Sequence, residues 1–154
     1  MRAEIISVSN GTLSANKITM TRGDTLELTL RVLGDDDTPI SINLYEDYAH
    51  IENTRAPASE HNHRLSIEFR AALRDGGDIP IIYKSTESML QVVYGTTDEL
   101  TVVLDNQDTR DLPAPLGLNF DMQITEFVSE KGRRMSTVYA GLLQIEKDYT
   151  TRYY

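Results

Sequence analysis

A chain of 154 residues, 40% of them hydrophobic and 25% charged, can fill one apolar core and reads as a single domain of ordinary size. Its 24 acidic residues outweigh 15 Lys and Arg, and the formal net charge of -9 excludes a sequence-independent nucleic-acid binder, which needs clustered cations to neutralise phosphate. Attraction to anionic membrane is excluded on the same ground, and with no cysteine there is no disulfide, thiolate nucleophile or Cys-ligated metal.

Met1-Arg2-Ala3-Glu4-Ile5-Ile6 lacks the long apolar run of a signal peptide. No apolar stretch approaches the roughly 20 residues that cross a bilayer. The expectation is a protein made and folded in the cytoplasm, without membrane insertion.

Along the chain, period-two alternation dominates and no segment carries a sustained 3.6-residue apolar pattern. Residues 1–16, with the turn pair Asn10-Gly11, read as an N-terminal strand or arm, ahead of a domain body over 17–150. In 25–32, Leu26, Leu28, Leu30 and Val32 face one side while Glu27, Thr29 and Arg31 face the other. Gly34-Asp35-Asp36-Asp37-Thr38-Pro39 then stops the strand with turn chemistry. Residues 43–63 are polar and weakly patterned, a long excursion that marks a candidate contact loop.

The alternation resumes in 64–71, where Leu65, Ile67, Phe69 and Ala71 oppose Ser66, Glu68 and Arg70. Short apolar runs at 79–84, 89–94 and 100–104 predict further strands, and 108–112 predicts one helical turn before Pro113. In 118–124, Leu118, Phe120, Met122 and Ile124 share a face, and after Glu130-Lys131-Gly132 the closing strand runs over 137–146. Seven or eight short strands at intervals of roughly 10–15 residues predict an all-β domain, an antiparallel sandwich or barrel. Residues 151–154 remain as an aromatic tail.

Chemistry is sparse. His61 and His63, near His50 and Glu60, have the two-apart spacing that turns both rings to one strand face, but no second ligand cluster accompanies them, and surface histidines are the expectation. Asp35-Asp36-Asp37 lacks the spaced oxygens, central glycine and closing glutamate of a calcium loop. Glu46 and Asp47 are neighbours on a loop, with nothing to raise one carboxyl into acid–base duty. There is no nucleophile elbow and no phosphate-cradling glycine loop. The expectation is a non-enzyme with no catalytic residues, no metal and no cofactor.

Aromatic groups are the better contact candidates. Tyr45 and Tyr48 lie in the long loop, and Tyr149, Arg152, Tyr153 and Tyr154 gather near residue 154. Tyr and Arg are the residue types that anchor protein interfaces.

Certain blocks are familiar. Ile18-Thr19-Met20-Thr21-Arg22-Gly23-Asp24-Thr25, an alternating strand and an acidic turn ending Thr38-Pro39 resemble the opening of phage and prophage immunoglobulin-like domains. The family meant is the N-terminal domain of baseplate upper proteins, with related tail and head accessory domains. Leu100-Thr101-Val102-Val103-Leu104 with Asp108-Thr109-Arg110-Asp111-Leu112-Pro113 is similar to that family's strand and corner. Gly117 to Ile124 and Gly141 to Thr150 resemble its last two strands, although Phe120 stands where the family often has Tyr and the 43–63 excursion is longer.

The resemblance covers residues 18 to 150 through the order of its blocks. It implies a single antiparallel immunoglobulin-like β-sandwich with one long polar loop. It further implies a structural component of a tailed-bacteriophage particle, either a tail or baseplate adaptor or a capsid-associated accessory domain. Such a protein is made in the host cytoplasm and resides in the virion, homo-oligomeric or in multiple copies, against other virion structural proteins. The alternative is a glycan-binding module on the particle surface, using Tyr45 and Tyr48.

Overall fold

Strands that alternate apolar and polar residues bury one face each, so two sheets with their apolar sides together satisfy all of them at once. The structure, a computed structural model, describes residues 2–39, 64–75, 79–85, 92–96, 99–129 and 132–148, with 64–66, 92–96, 126–129 and 132–134 described by backbone alone. The described strands are β1 (Arg2–Ser9), β2 (Gly11–Ser14), β3 (Lys17–Thr21), β4 (Leu26–Leu33) and β5 (Arg64–Leu73). They continue as β6 (Ile82–Ser85), β7 (Val92–Thr96), β8 (Glu99–Leu104), β9 (Leu116–Ser129) and β10 (Gly132–Glu146), with one helical turn, α1 (Asn106–Thr109), between β8 and β9. A four-stranded sheet has the order β1-β4-β8-β7, and a six-stranded sheet has the order β2-β3-β10-β9-β5-β6. Pairing is antiparallel except between β3 and β10, which run parallel.

The all-β expectation holds, and the alternation placed the core correctly. Leu26, Leu28, Leu30 and Val32 of β4 and Leu100, Val102 and Leu104 of β8 are buried on one side of the core cluster. Ile67, Phe69 and Ala71 of β5 meet them from the other sheet, with Leu118, Phe120, Met122 and Ile124 of β9. Phe120 sits at the centre of an aromatic row, its ring 5.3 Å from Phe69 and 5.7 Å from Tyr139. Burial alone holds the Tyr139 phenol above its ordinary value.

The strand number exceeds the expected seven or eight because residues 2–21 hold three strands. Their alternation is broken by geometry. Ile5 pairs with Leu30 and Ser7 with Thr29, so Ile6 is an extra residue in a bulge, which moves the inward phase from Ala3 and Ile5 to Val8. Asn10 then takes φ 63, a left-handed conformation that Asn tolerates, and the chain passes from the four-stranded sheet into the six-stranded one. The Asn10 side-chain amide donates to Thr25 O at 3.0 Å and holds that corner.

β2 and β3 are joined by the two-residue turn Ala15-Asn16, Ser14 pairing with Lys17. Ala15 carries φ 54, where a Cβ is strained and glycine is not. Ala15→Gly is therefore expected to stabilise the fold by about 1 kcal/mol, read as an upward shift of the urea midpoint with an unchanged m-value.

Two other boundaries differ from expectation. The apolar run from Ile79 becomes a strand only at Ile82, because Pro80 has no N–H to give a ladder. The helical turn begins at Asn106 rather than 108, because Asp105 caps it, accepting from Gln107 N at 2.9 Å while its own N–H donates to Asp108 Oδ2 at 2.8 Å. The 43–63 excursion lies outside the described residues.

Candidate functional site

At one end of the two sheets, short polar segments far apart in sequence are tied together. The turn after β3 places Arg22 so that its Nε and Nη2 both donate to Asp148 Oδ1, at 3.0 and 2.7 Å, just beyond β10. The same guanidinium donates through Nη1 to Leu112 O at 3.1 Å. Gly23 follows at φ 84, its N–H donating to Thr109 Oγ1 at 2.8 Å and its carbonyl accepting from the Asn106 amide at 2.6 Å. Arg22-Gly23, the corner 106–112 and Asp148 thus form one hydrogen-bonded knot.

Below the knot, Lys84 of β6 points inward with only 6% of its side chain exposed, and its ammonium lies 2.9 Å from Asp108 Oδ2. One carboxylate oxygen therefore serves both the helix cap and a buried ammonium. This knot is built for rigidity. Its donors and acceptors are spent on one another, and it holds the connections after β3, β8 and β10 in fixed relation.

The opposite surface of the six-stranded sheet offers more room. Outward-facing residues form two rows across the strands, Tyr83–Arg70–Asp121–Ala140 and Ala72–Asn119–Leu142. All but Tyr83 line a cleft of about 690 Å³, with Leu73, Arg74, Pro80 and Asn16 around them. Arg70 donates from Nε and Nη2 to the two Asp121 oxygens at 3.3 Å each, and this bonding raises the Arg70 pKa above its ordinary value. The cleft thus has a polar centre, Arg70 with Asp121, flanked by Ala72, Ala140 and Leu142, and is open to solvent.

Beside it lies an apolar corner, where β5 ends and β6 begins. Leu73, Ile79, Ile81 and Tyr83 are four of the seven exposed large hydrophobic residues among the described residues, and Ile79 is 81% exposed. Tyr83 pairs with outward Arg70, whereas Leu73 follows Ile67, Phe69 and Ala71 in the inward phase of β5 and is exposed at the end of that strand. The 79–84 run was legible in the sequence only as a strand. Ile81 already joins β5, its N–H donating to Ala71 O at 2.7 Å, so Pro80 leaves only Ile79 before the pairing begins, which could not be read from alternation.

Tyr45, Tyr48, Tyr149, Arg152, Tyr153 and Tyr154 lie outside the described residues, as do Glu46, Asp47, His50, Glu60, His61 and His63. The acidic turn is described. Asp37, at φ 61, accepts from Arg2 Nε and Nη2 at 3.1 and 3.0 Å, and Asp36 accepts from Thr38. The Thr38 hydroxyl and N–H hold the Asp36 carboxyl below the ordinary carboxylate value. Among the described residues no three His, Cys, Asp or Glu side chains are grouped to hold a metal ion. A comparison with models of known protein families finds no match, and neither does a comparison with curated protein sequences.

Proposed function

We propose that this chain is an immunoglobulin-like β-sandwich serving as a structural component of a tailed-bacteriophage particle, a tail or baseplate adaptor or a capsid-associated accessory domain, which works through protein–protein contacts. The observation that carries the reading is the strand order. β1-β4-β8-β7 against β10-β9-β5-β6 corresponds to the A-B-E-D and G-F-C-C′ order of immunoglobulin-like sandwiches.

The knot supports it from a second direction. The blocks that resemble the phage domains, Arg22-Gly23-Asp24, Asp108 to Pro113 and the end of β10, are separated by up to 126 residues and meet at one end of the sheets. Their order along the chain therefore has a physical cause in this fold. The exposed apolar corner supplies a surface suited to a neighbouring subunit.

The test is quantitative mass spectrometry of purified phage particles from the source of the sequence, with immunogold labelling to place the chain on head or tail. A fixed copy number per particle is expected. Particles that lack the chain after gradient purification would sink the proposal.

A further inference from the structure

We infer that Asn10 is a site of spontaneous deamidation, held in check by the hydrogen bond of its own side-chain amide, and that losing the amide loosens the crossing of the chain between the two sheets. Asn10 stands between β1 and β2, where the chain leaves one sheet for the other, and it is exposed. Gly11 follows it, whereas every other asparagine of the chain precedes a residue with a side chain. Without a Cβ, Gly11 leaves its nitrogen open to approach from the Asn10 side chain. That nitrogen also lies outside the β2–β3 ladder. Ser14 and Lys17 close a two-residue turn as a hydrogen-bonded pair, so by alternation Thr12 and Thr19 form the next such pair and Gly11 faces Met20 without one. β2 ends its sheet, and among the described residues no strand takes the Gly11 N–H from the other side.

The step balances with water as the only co-reactant. A base takes the Gly11 N–H proton, and the nitrogen attacks Asn10 Cγ to close a cyclic imide. The Cγ–Nδ2 bond breaks as Nδ2 takes up a proton and leaves as ammonia. Water then opens the ring at either carbonyl, leaving aspartate or isoaspartate at position 10. Before the attack the carboxamide must let go of Thr25 O, to which it donates at 3.0 Å, so the fold reacts only through the fraction of molecules in which this corner is open.

The product cannot re-form the bond. A carboxylate only accepts, so its oxygen would meet the Thr25 carbonyl with no proton between them. Isoaspartate further lengthens the backbone by one carbon in the residue that turns the chain at φ 63. Because Thr25 directly precedes β4, the lost bond is the one that ties the β1–β2 corner to the start of the neighbouring strand. The inference does not depend on the particle reading, since it concerns the chain in isolation.

The experiment is incubation of the full chain in mildly alkaline buffer, followed by peptide mapping with mass spectrometry, which reads the mass gain of amide to acid and separates aspartate from isoaspartate. Conversion is expected at Asn10 ahead of every other asparagine, and roughly fivefold or more faster in urea than in the folded protein, since unfolding removes the hydrogen bond to Thr25 O. Asn10→Asp should lower the urea midpoint below that of Asn10→Gly, which also lacks the amide but accepts φ 63 and sets no carboxylate against the carbonyl. A folded chain that keeps its Asn10 amide while other asparagines convert overturns the inference. Equal rates in folded and unfolded protein overturn the restraint by Thr25 O. An Asn10→Asp protein as stable as the parent overturns the loosening of the crossing.

Discussion

Asp108→Asn should lower the melting temperature by roughly 6–20 °C, the consequence of a loss of about 3–5 kcal/mol when one member of a buried ion pair is removed. The carboxylate lies 2.9 Å from the Lys84 ammonium, whose side chain is 6% exposed, whereas the Asp108 side chain is 18% exposed. The ammonium is therefore the costlier charge to leave without its carboxylate. Asn keeps an oxygen for the Asp105 N–H, so the helix cap survives and the charge effect is isolated.

Lys84→Met should destabilise less than Asp108→Asn, because the better hydrated member of the pair is the one left behind. The double variant Lys84→Met/Asp108→Asn should recover most of the loss, since an apolar side chain often replaces a buried pair at little net cost. Thermal melts of the four proteins decide the matter. Losses in the two single variants that simply add in the double would show that Asp108 and Lys84 do not act through each other.

Gly141→Ala is expected to cost about 2–4 kcal/mol, by overpacking and by disturbing one hydrogen bond. A Cβ at this position would run into Asn16 O and lie 3.0 and 3.1 Å from Phe120 Cε1 and Cζ. That same carbonyl accepts from Leu142 N at 2.9 Å, docking the β2–β3 turn onto β10. The obstacle includes backbone, which cannot rotate away as the end of a side chain can.

Gly117→Ala is the control. Its Cβ would meet Gln144 Oε1 at 3.3 Å and Arg74 Cδ at 3.4 Å, both on flexible side chains, so a change within about 0.5 kcal/mol is expected. Urea unfolding of both variants measures the contrast. A Gly141→Ala protein as stable as the Gly117→Ala protein would show that the β2–β3 turn is free to move off β10.

Much of the core was legible before the structure, and the reason is visible in particular strands. Leu26 to Val32 and Leu118 to Ile124 alternate without interruption, so their inward sets could be named residue by residue. Where a bulge intervenes, alternation named no inward set. Ile6 interrupts β1, and the register against β9 shifts between Thr137 and Tyr139, leaving Val138 buried out of phase with Leu143 and Ile145. An extra residue inverts the faces, and nothing in composition announces it.

The contact surfaces were less legible. Lys84 looked like the polar end of an apolar run, yet it is buried, because its partner Asp108 arrives from a helical turn after a different strand. Arg22 drew attention as part of a familiar block, while its role follows from Asp148, 126 residues later. The exposure of Ile79 emerged only from the structure, in which Pro80 delays the pairing until the Ile81 N–H donates to Ala71 O.

By itself, then, the sequence determined that the chain is β, which side chains of the uninterrupted strands face inward, and that the molecule is strongly acidic. These are local or additive properties, since alternation belongs to the single strand and charge is a sum. Only the tertiary structure decided that β3 lies parallel to β10, that Arg22 meets Asp148, and that Lys84 meets Asp108. Those depend on which strands become neighbours, and that choice is made by burying two sheets against each other across the whole chain.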